Sequence, residues 1–183
     1  MPFSDIRQEV VSRCKSIAIM NDENRSQPAG TRKPTHSEAL QSAFRLLARR
    51  DHITGELVLK LRRKGYDRKA VDAALERCRD LGYLDDARTA RMMADHLVAR
   101  GYGPLRIRQV LGQKGLEQAL VEQVMAAGQS EDDLVRAAQK ALEKKASRLH
   151  RESDPWKRRQ IAYRFLSGRG FPSTVVNRVI DDT

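Results

Sequence analysis

Aromatic side chains are scarce here: four Phe, four Tyr and one Trp among 183 residues. With so few large rings, the core must come from Leu, Val, Ile and Ala, a balance that suits small helical units. Cysteine is nearly absent too. Cys14 and Cys78 stand far apart and outside any CxxC, which excludes a disulfide scaffold and points to a reducing compartment. No apolar run approaches membrane-spanning length, and the first residues lack a signal-peptide core, so a cytoplasmic protein is expected. No six-residue stretch alternates apolar and polar positions, so strands are not expected. Acidic residues are in deficit, 24 against 35 Lys and Arg, leaving a surplus of eleven positive charges and a pI near 10.1. That surplus favours an anionic partner: nucleic acid, a nucleoprotein or an acidic protein face.

What is present is helix after helix from residue 37. Pro34 blocks a helix before that point, and Ser37 reads as the N-cap of EALQSAFRLLARR. Residues 1–36 read as an extension, flexible or weakly helical. Ile6, Val10, Cys14 and Ile17 could line a short amphipathic helix, and NDENRSQPAGTRKPTH reads as a linker.

Three glycines occupy equivalent places: Gly65, Gly115 and Gly170, spaced by 50 and 55 residues. Each follows a polar or basic helix and precedes an apolar residue (Tyr66, Leu116 and Phe171), as a left-handed helix C-cap does. Leu61, Leu111 and Leu166 stand four residues before them, and Leu57, Ile107 and Ala162 eight before. Apolar pairs recur five and six, then nine and ten, residues after: Ala70-Val71 and Ala74-Leu75, Leu120-Val121 and Val124-Met125, Val175-Val176 and Val179-Ile180. Each set forms one helical stripe. The fold class that follows is all-α, built from three tandem three-helix repeats of helix-turn-helix type at 37–84, 85–128 and 130–182. Such repeats make an elongated, curved row. In GYGPLRIRQVLGQKG, Pro104 opens a helix as its first residue, Ile107, Val110 and Leu111 face the core, and Gly115 ends it.

Catalysis finds no residue set. His36, His52, His96 and His150 have no partner at ligand spacing, so neither a metal nor another cofactor is expected. Asp85 and Asp86 read as helix caps. No nucleophile elbow occurs, and no GxxxxGK[ST] loop follows a strand. Cys78 reads as a core thiol and Trp156 as a core or helix-start packing residue, with base stacking the lesser reading.

Positive charge is the remaining chemistry. Residues 136–169 hold eleven Lys and Arg against three acids, a surplus of eight. Lys140, Lys144, Arg148 and Arg151 fall at i, i+4, i+8 and i+11, one stripe if the first helix of the third repeat is continuous. Lys157, Arg158 and Arg164 follow. In the middle repeat Arg100, Arg106, Arg108 and Lys114 are basic, with Gln109 and Gln113 on the outer face. Arg and Gln on an exposed helix suit phosphates, base edges or an acidic protein surface. These eleven residues are the candidate partner-binding set. A free-standing basic helical DNA-binding protein is one reading of them.

The stretch GYGPLRIRQVLGQKG, with LARRDHITGELVLKLRRKGY before it and RDLGYLDDAR between, resembles the bacterial RecX family. The carrying motifs are Arg49-Arg50-Asp51-His52, Lys60-Leu61 to Gly65-Tyr66, Gly82 to Asp86, and Gly101 to Gly115, and the likeness covers roughly residues 38–182. One departure is Thr89, where the family commonly has an aromatic; one packing contact is expected to loosen there. The resemblance implies a negative modulator of the recombinase RecA, acting in DNA recombination, repair and the SOS response; a monomer is the default expectation. Such proteins lodge in the groove of the RecA–single-stranded-DNA filament. There they restrain ATP hydrolysis, strand exchange and coprotease activity. Weak direct DNA binding would be compatible with this.

Overall fold

The computed structural model describes residues 35–126 and 130–181. The amphipathic segment proposed around Ile6 to Ile17, and with it Cys14, lies outside the described residues. Among the described residues every regular element is helical. They are α1 (His36–Leu47), α2 (Thr54–Arg63), α3 (Arg68–Asp80), α4 (Asp86–Ala99), α5 (Pro104–Gln113), α6 (Gln118–Ala126), α7 (Glu131–Glu143), α8 (Ala146–His150), α9 (Pro155–Gly168) and α10 (Ser173–Asp181). No described helix is long and apolar enough to cross a membrane. The chain divides after Thr89 into two compact units.

In the first unit α1 begins two residues earlier than the sequence alone places it. Thr35, not Ser37, is the N-cap. Its hydroxyl accepts from the Glu38 N–H, and the Glu38 carboxylate accepts from the Thr35 N–H at 2.8 Å. This reciprocal box satisfies two otherwise unpaired donors, which a cap at Ser37 would leave open. The core gathers Phe44, Leu47, Leu57, Leu61, Val71, Leu75 and Cys78. Phe44 meets Tyr83 edge to face, with ring centroids 5.6 Å apart. Ala39, Ala70 and Ala74 let α1 and α3 pack closely.

The repeat register holds in the second unit. Leu111 and Leu166 are fully buried, as Leu61 is in the first, and Ile107 and Ala162 are buried beside them. Val121 and Val124 of α6 bury against α5, while Leu120 and Met125 are half-buried. The last three-helix core joins α7, α9 and α10 through Val135, Ala138, Leu142, Leu166, Val176 and Val179.

Gly65, Gly115 and Gly170 have φ of 89°, 83° and 84°, the left-handed region that favours glycine. Gly82 and Gly101, at the ends of α3 and α4, share it, with φ of 71° and 78°. Four of the five carry the full capping pattern. The N–H of the following residue reaches back to a carbonyl: Tyr66 to Leu61, Tyr83 to Cys78, Tyr102 to Leu97 and Phe171 to Leu166.

Candidate partner-binding surface

Two aspartates seat α2 and the first turn of α4 in the first unit. Asp85 accepts from the Arg88 N–H at 2.9 Å and so caps its own helix. Asp86 reaches across to α2, where the Thr54 N–H donates to its Oδ1 at 2.8 Å. The N-cap of α2 is Ile53, whose side chain has no acceptor. Asp86 supplies it from 32 residues away. Beside them His52 is buried. Its Nδ1 lies 2.8 Å from the Arg50 carbonyl and its Nε2 2.8 Å from Lys60 Nζ. An ammonium can only donate, so Nε2 accepts and Nδ1–H donates to the carbonyl: the ring is neutral. Burial pushes the His52 pKa below its ordinary value, and the nearby Arg50 and Lys60 charges push the same way. Glu56 closes the group. Burial alone would raise its pKa, but hydrogen bonds from Arg50 and Lys60 outweigh it and hold the carboxyl at about 2. Thr89, the departure from the family pattern, is buried.

In the second unit the loop before α5 is pinned to the loop after α9. The Gly103 N–H donates to the Arg169 carbonyl at 2.8 Å, and the Leu105 N–H to the Gly170 carbonyl at 3.0 Å. The Arg169 guanidinium lies over Tyr102 and Phe165, 5.1 and 5.0 Å from the ring centroids. It also donates to the carbonyls of Arg100 and Gly101, at 2.6 and 3.3 Å. Arg169, one of the eleven cations of residues 136–169, is thus a structural clamp.

The predicted basic residues fall into three groups. Arg108 is half-buried and tied to Glu122 at 3.2 Å, across α5 and α6. Lys114, Lys144 and Arg151 occupy helix C-cap positions, as Lys64 and Arg169 do. There a positive charge answers the partial negative charge of the unpaired carbonyls, which accounts for these residues without a partner. Arg100, Arg106, Lys140, Lys157, Arg158 and Arg164 are exposed. Arg106 donates to Gln109 at 2.7 Å, so that pair is already joined on the outer face of α5.

The continuous stripe through Lys140, Lys144, Arg148 and Arg151 does not form. α7 ends at Glu143, and Lys145, with φ −110° and ψ 2°, breaks the helix before α8 starts. The break lets Leu149 turn back onto the core that holds Leu142. It also brings Lys145 Nζ over the Phe165 ring, 5.6 Å from its centroid. Lys140 and Lys144 lie before the break and Arg151 after it; the Arg148 side chain lies outside the described residues.

Trp156 is not a core residue. It stands in the first turn of α9 and is 64% exposed. Pro155 before it and the Asp154 cap beneath it, which accepts from the Trp156 N–H at 2.9 Å, start the helix without needing the ring. The sequence reading also passed over a cluster in the first unit. Arg62, Arg63, Lys64, Arg68 and Lys69 are all exposed around the turn from α2 to α3, and of these Arg68 pairs with Asp72. The run KLRRKGYDRK was its visible signal.

Comparison with known proteins settles the family. Models of the first, second and third three-helix domains of RecX match residues 39–78, 85–125 and 131–180. A regulatory protein RecX of Legionella pneumophila is 37% identical over 146 residues, covering 80% of this chain and 95% of the relative. The chain belongs to the RecX family. A RecX of Vibrio parahaemolyticus is likewise 37% identical, over 72% of this chain and 82% of its own length. The crystal structure of RecX from Lactobacillus salivarius superposes with a TM-score of 0.72 at 19% identity, covering 80% of this chain and 95% of that one. A second crystal structure of a regulatory protein RecX gives 0.70 at 20% identity, over 91% and 85% of the two chains. The curated relatives of this RecX-family chain are described as regulatory proteins. Among its described residues no group of three or more His, Cys, Asp or Glu could hold a metal.

Proposed function

We propose that this RecX-family protein is a negative modulator of the RecA recombinase. It acts through three-helix repeats at 37–84, 85–128 and 130–182. Docked in the groove of the RecA–single-stranded-DNA filament, it lowers ATP hydrolysis, strand exchange and coprotease activity. Recombinational repair and the SOS response are the processes it would restrain. The observation that carries this reading is the match of all three RecX domains in order along one chain. The charge agrees: Arg158 sits in the first turn of α9, where the helix dipole disfavours cations, and Lys157 beside it has only the Asp154 cap, at 4.0 Å. A cation held against the dipole is better explained by an anionic partner than by the fold. Repeats that dock in series also gain from effective concentration, because the second contact is intramolecular once the first is made. By linkage the protein shifts the filament only by its differential affinity for the filament's states.

The test is RecA's single-stranded-DNA-dependent ATP hydrolysis, titrated with this protein well below RecA's concentration at fixed salt, with binding to bare DNA measured alongside. Inhibition at a small molar fraction, where bare DNA is still unbound, is expected. Inhibition that appears only as bare DNA saturates would instead make it a free-standing DNA-binding protein competing for the strand.

A further inference from the structure

The outer face of α9 carries two parallel rows. Trp156 and Tyr163 stand seven residues apart, two helical turns or about 10.5 Å along the axis. They are 64% and 43% exposed, while Ala162 and Leu166 of the same helix bury in the core. Lys157 and Arg164 repeat the same spacing one residue on, which sets a row of cations beside the row of rings. Between the rings lies Gln160, half-buried, and the cleft they edge is completed by Asn177 of α10. Arg159, on the flank, is bound to Asp181. Among the described residues no carboxylate bridges Arg164, and Lys157 lies 4.0 Å from its nearest, Asp154.

An exposed Trp gives up a large burial of apolar area, and with Trp156 64% exposed the fold recovers only the smaller part of it here. Rings in a line with cations alongside are what an unpaired nucleic-acid strand requires. Each base has a π-face to stack, and each phosphate sits a fixed distance to one side. A duplex hides those faces. An acidic peptide would use the cations but has no need of two rings at this spacing.

We propose that the α9 face binds single-stranded nucleic acid, with bases stacked on Trp156 and Tyr163, phosphates on Lys157 and Arg164, and the amides of Gln160 and Asn177 turned to base edges. The inference goes beyond the RecA reading, and its test turns on binding to the bare strand, so the two can fail separately.

Trp156 is the chain's one tryptophan, so intrinsic fluorescence reports on this face directly. The full chain is titrated with a thymidine oligonucleotide, single-stranded or as a duplex. Saturable quenching by the single strand, weakened by salt and much smaller for the duplex, is expected. Trp156→Ala and Tyr163→Ala, followed by the anisotropy of a labelled strand, should each weaken binding about tenfold, with Trp156→Phe close to the parent. Both positions are exposed, so an unchanged helical CD spectrum keeps the comparison valid. Equal quenching by duplex, strand binding with no change at Trp156, or a Trp156→Ala variant that binds as the parent does would each overturn the proposal. So would fluorescence that answers to RecA protein but not to the bare strand, which would make this face a protein contact.

Discussion

Gly103 and Gly170 lie backbone against backbone with no space for a side chain between them. A Cβ on Gly103 would come within 2.4 Å of the Gly170 carbonyl oxygen, and one on Gly170 within 2.3 Å of the Arg106 nitrogen. Gly170 also holds a positive φ, so two separate requirements fall on one residue. Gly65 has the same backbone angle but open space around it. Gly65→Ala should therefore cost about 1–2 kcal/mol, the left-handed penalty alone. Gly170→Ala should cost more, about 3 kcal/mol or above, because backbone must also move. Urea denaturation of the two variants checks the ranking, and equal losses would deny the close approach.

His52 and Glu56 give the first unit a pH dependence of known sign. Both pKa values lie below their ordinary ranges in the folded protein. The unfolded chain therefore binds more protons, and stability rises with pH. The His52 contribution is complete above its unfolded pKa near 6.5 and is lost as pH falls through the lower folded value. The Glu56 contribution is lost lower still, between the usual carboxylate range and about 2. Melts between pH 7 and pH 5 should show a declining midpoint, and His52→Gln should flatten that decline. The imidazole proton shifts of His52, followed by NMR, should titrate below those of an exposed histidine.

Asp86 is the cap that α2 lacks in its own sequence. Asp86→Ala leaves the Thr54 N–H without its acceptor and should cost about 1 kcal/mol. Asp86→Asn keeps an acceptor and should cost less. Amide exchange at Thr54 reads the effect locally: faster in Asp86→Ala, near parent in Asp86→Asn.

The two ends of the helices should answer charge reversal oppositely. Lys144→Glu with Arg151→Glu puts acids at helix C-termini and should lower stability by about 0.3–1 kcal/mol each. Lys157→Glu with Arg158→Glu puts acids into the first turn of α9 and should leave stability unchanged or raise it by a similar amount. The second pair should nonetheless weaken inhibition of RecA's ATP hydrolysis. Thermal melts and the ATPase titration, run on both pairs, separate structural cations from functional ones.

Leu111 of α5 is fully buried. Leu111→Asp places a charge with no partner in a small core, and a loss of several kcal/mol should unfold that part of the chain. Leu111→Ala should cost about 2–5 kcal/mol and leave it folded. Helical CD with urea distinguishes them, and a parent-like melt for Leu111→Asp would place the repeat register elsewhere.

Most of the fold was legible because its signals are local. A glycine with a leucine four residues before it marks both a helix stop and the buried stripe, and burial of Leu61, Leu111 and Leu166 follows that pattern. Pro104 at the start of α5 was legible for the same reason: its fixed φ and missing N–H suit one helical position. Thr35 was missed because a capping box depends on which of two nearby hydroxyls meets the Glu38 N–H, and Ser37 offered the same chemistry two residues later. The basic surface was half legible. Composition located the charge, but helical spacing assumed one unbroken helix from Lys140 to Arg151, and the turn at Lys145 is set by where Leu149 finds its core.

By itself, the sequence determined the helical class, the three-fold internal register, the glycine caps and the positive surplus. Each of these is written in spacings of a few residues or in simple counts. Tertiary structure decided what those residues face. Asp86 serves a helix 32 residues away. Arg169 became a clamp between two rings, while Trp156 was left in solvent. The physical reason is that hydrogen bonds and burial depend on neighbours in space. Periodicity reports which side of a helix a residue occupies, but not what lies opposite.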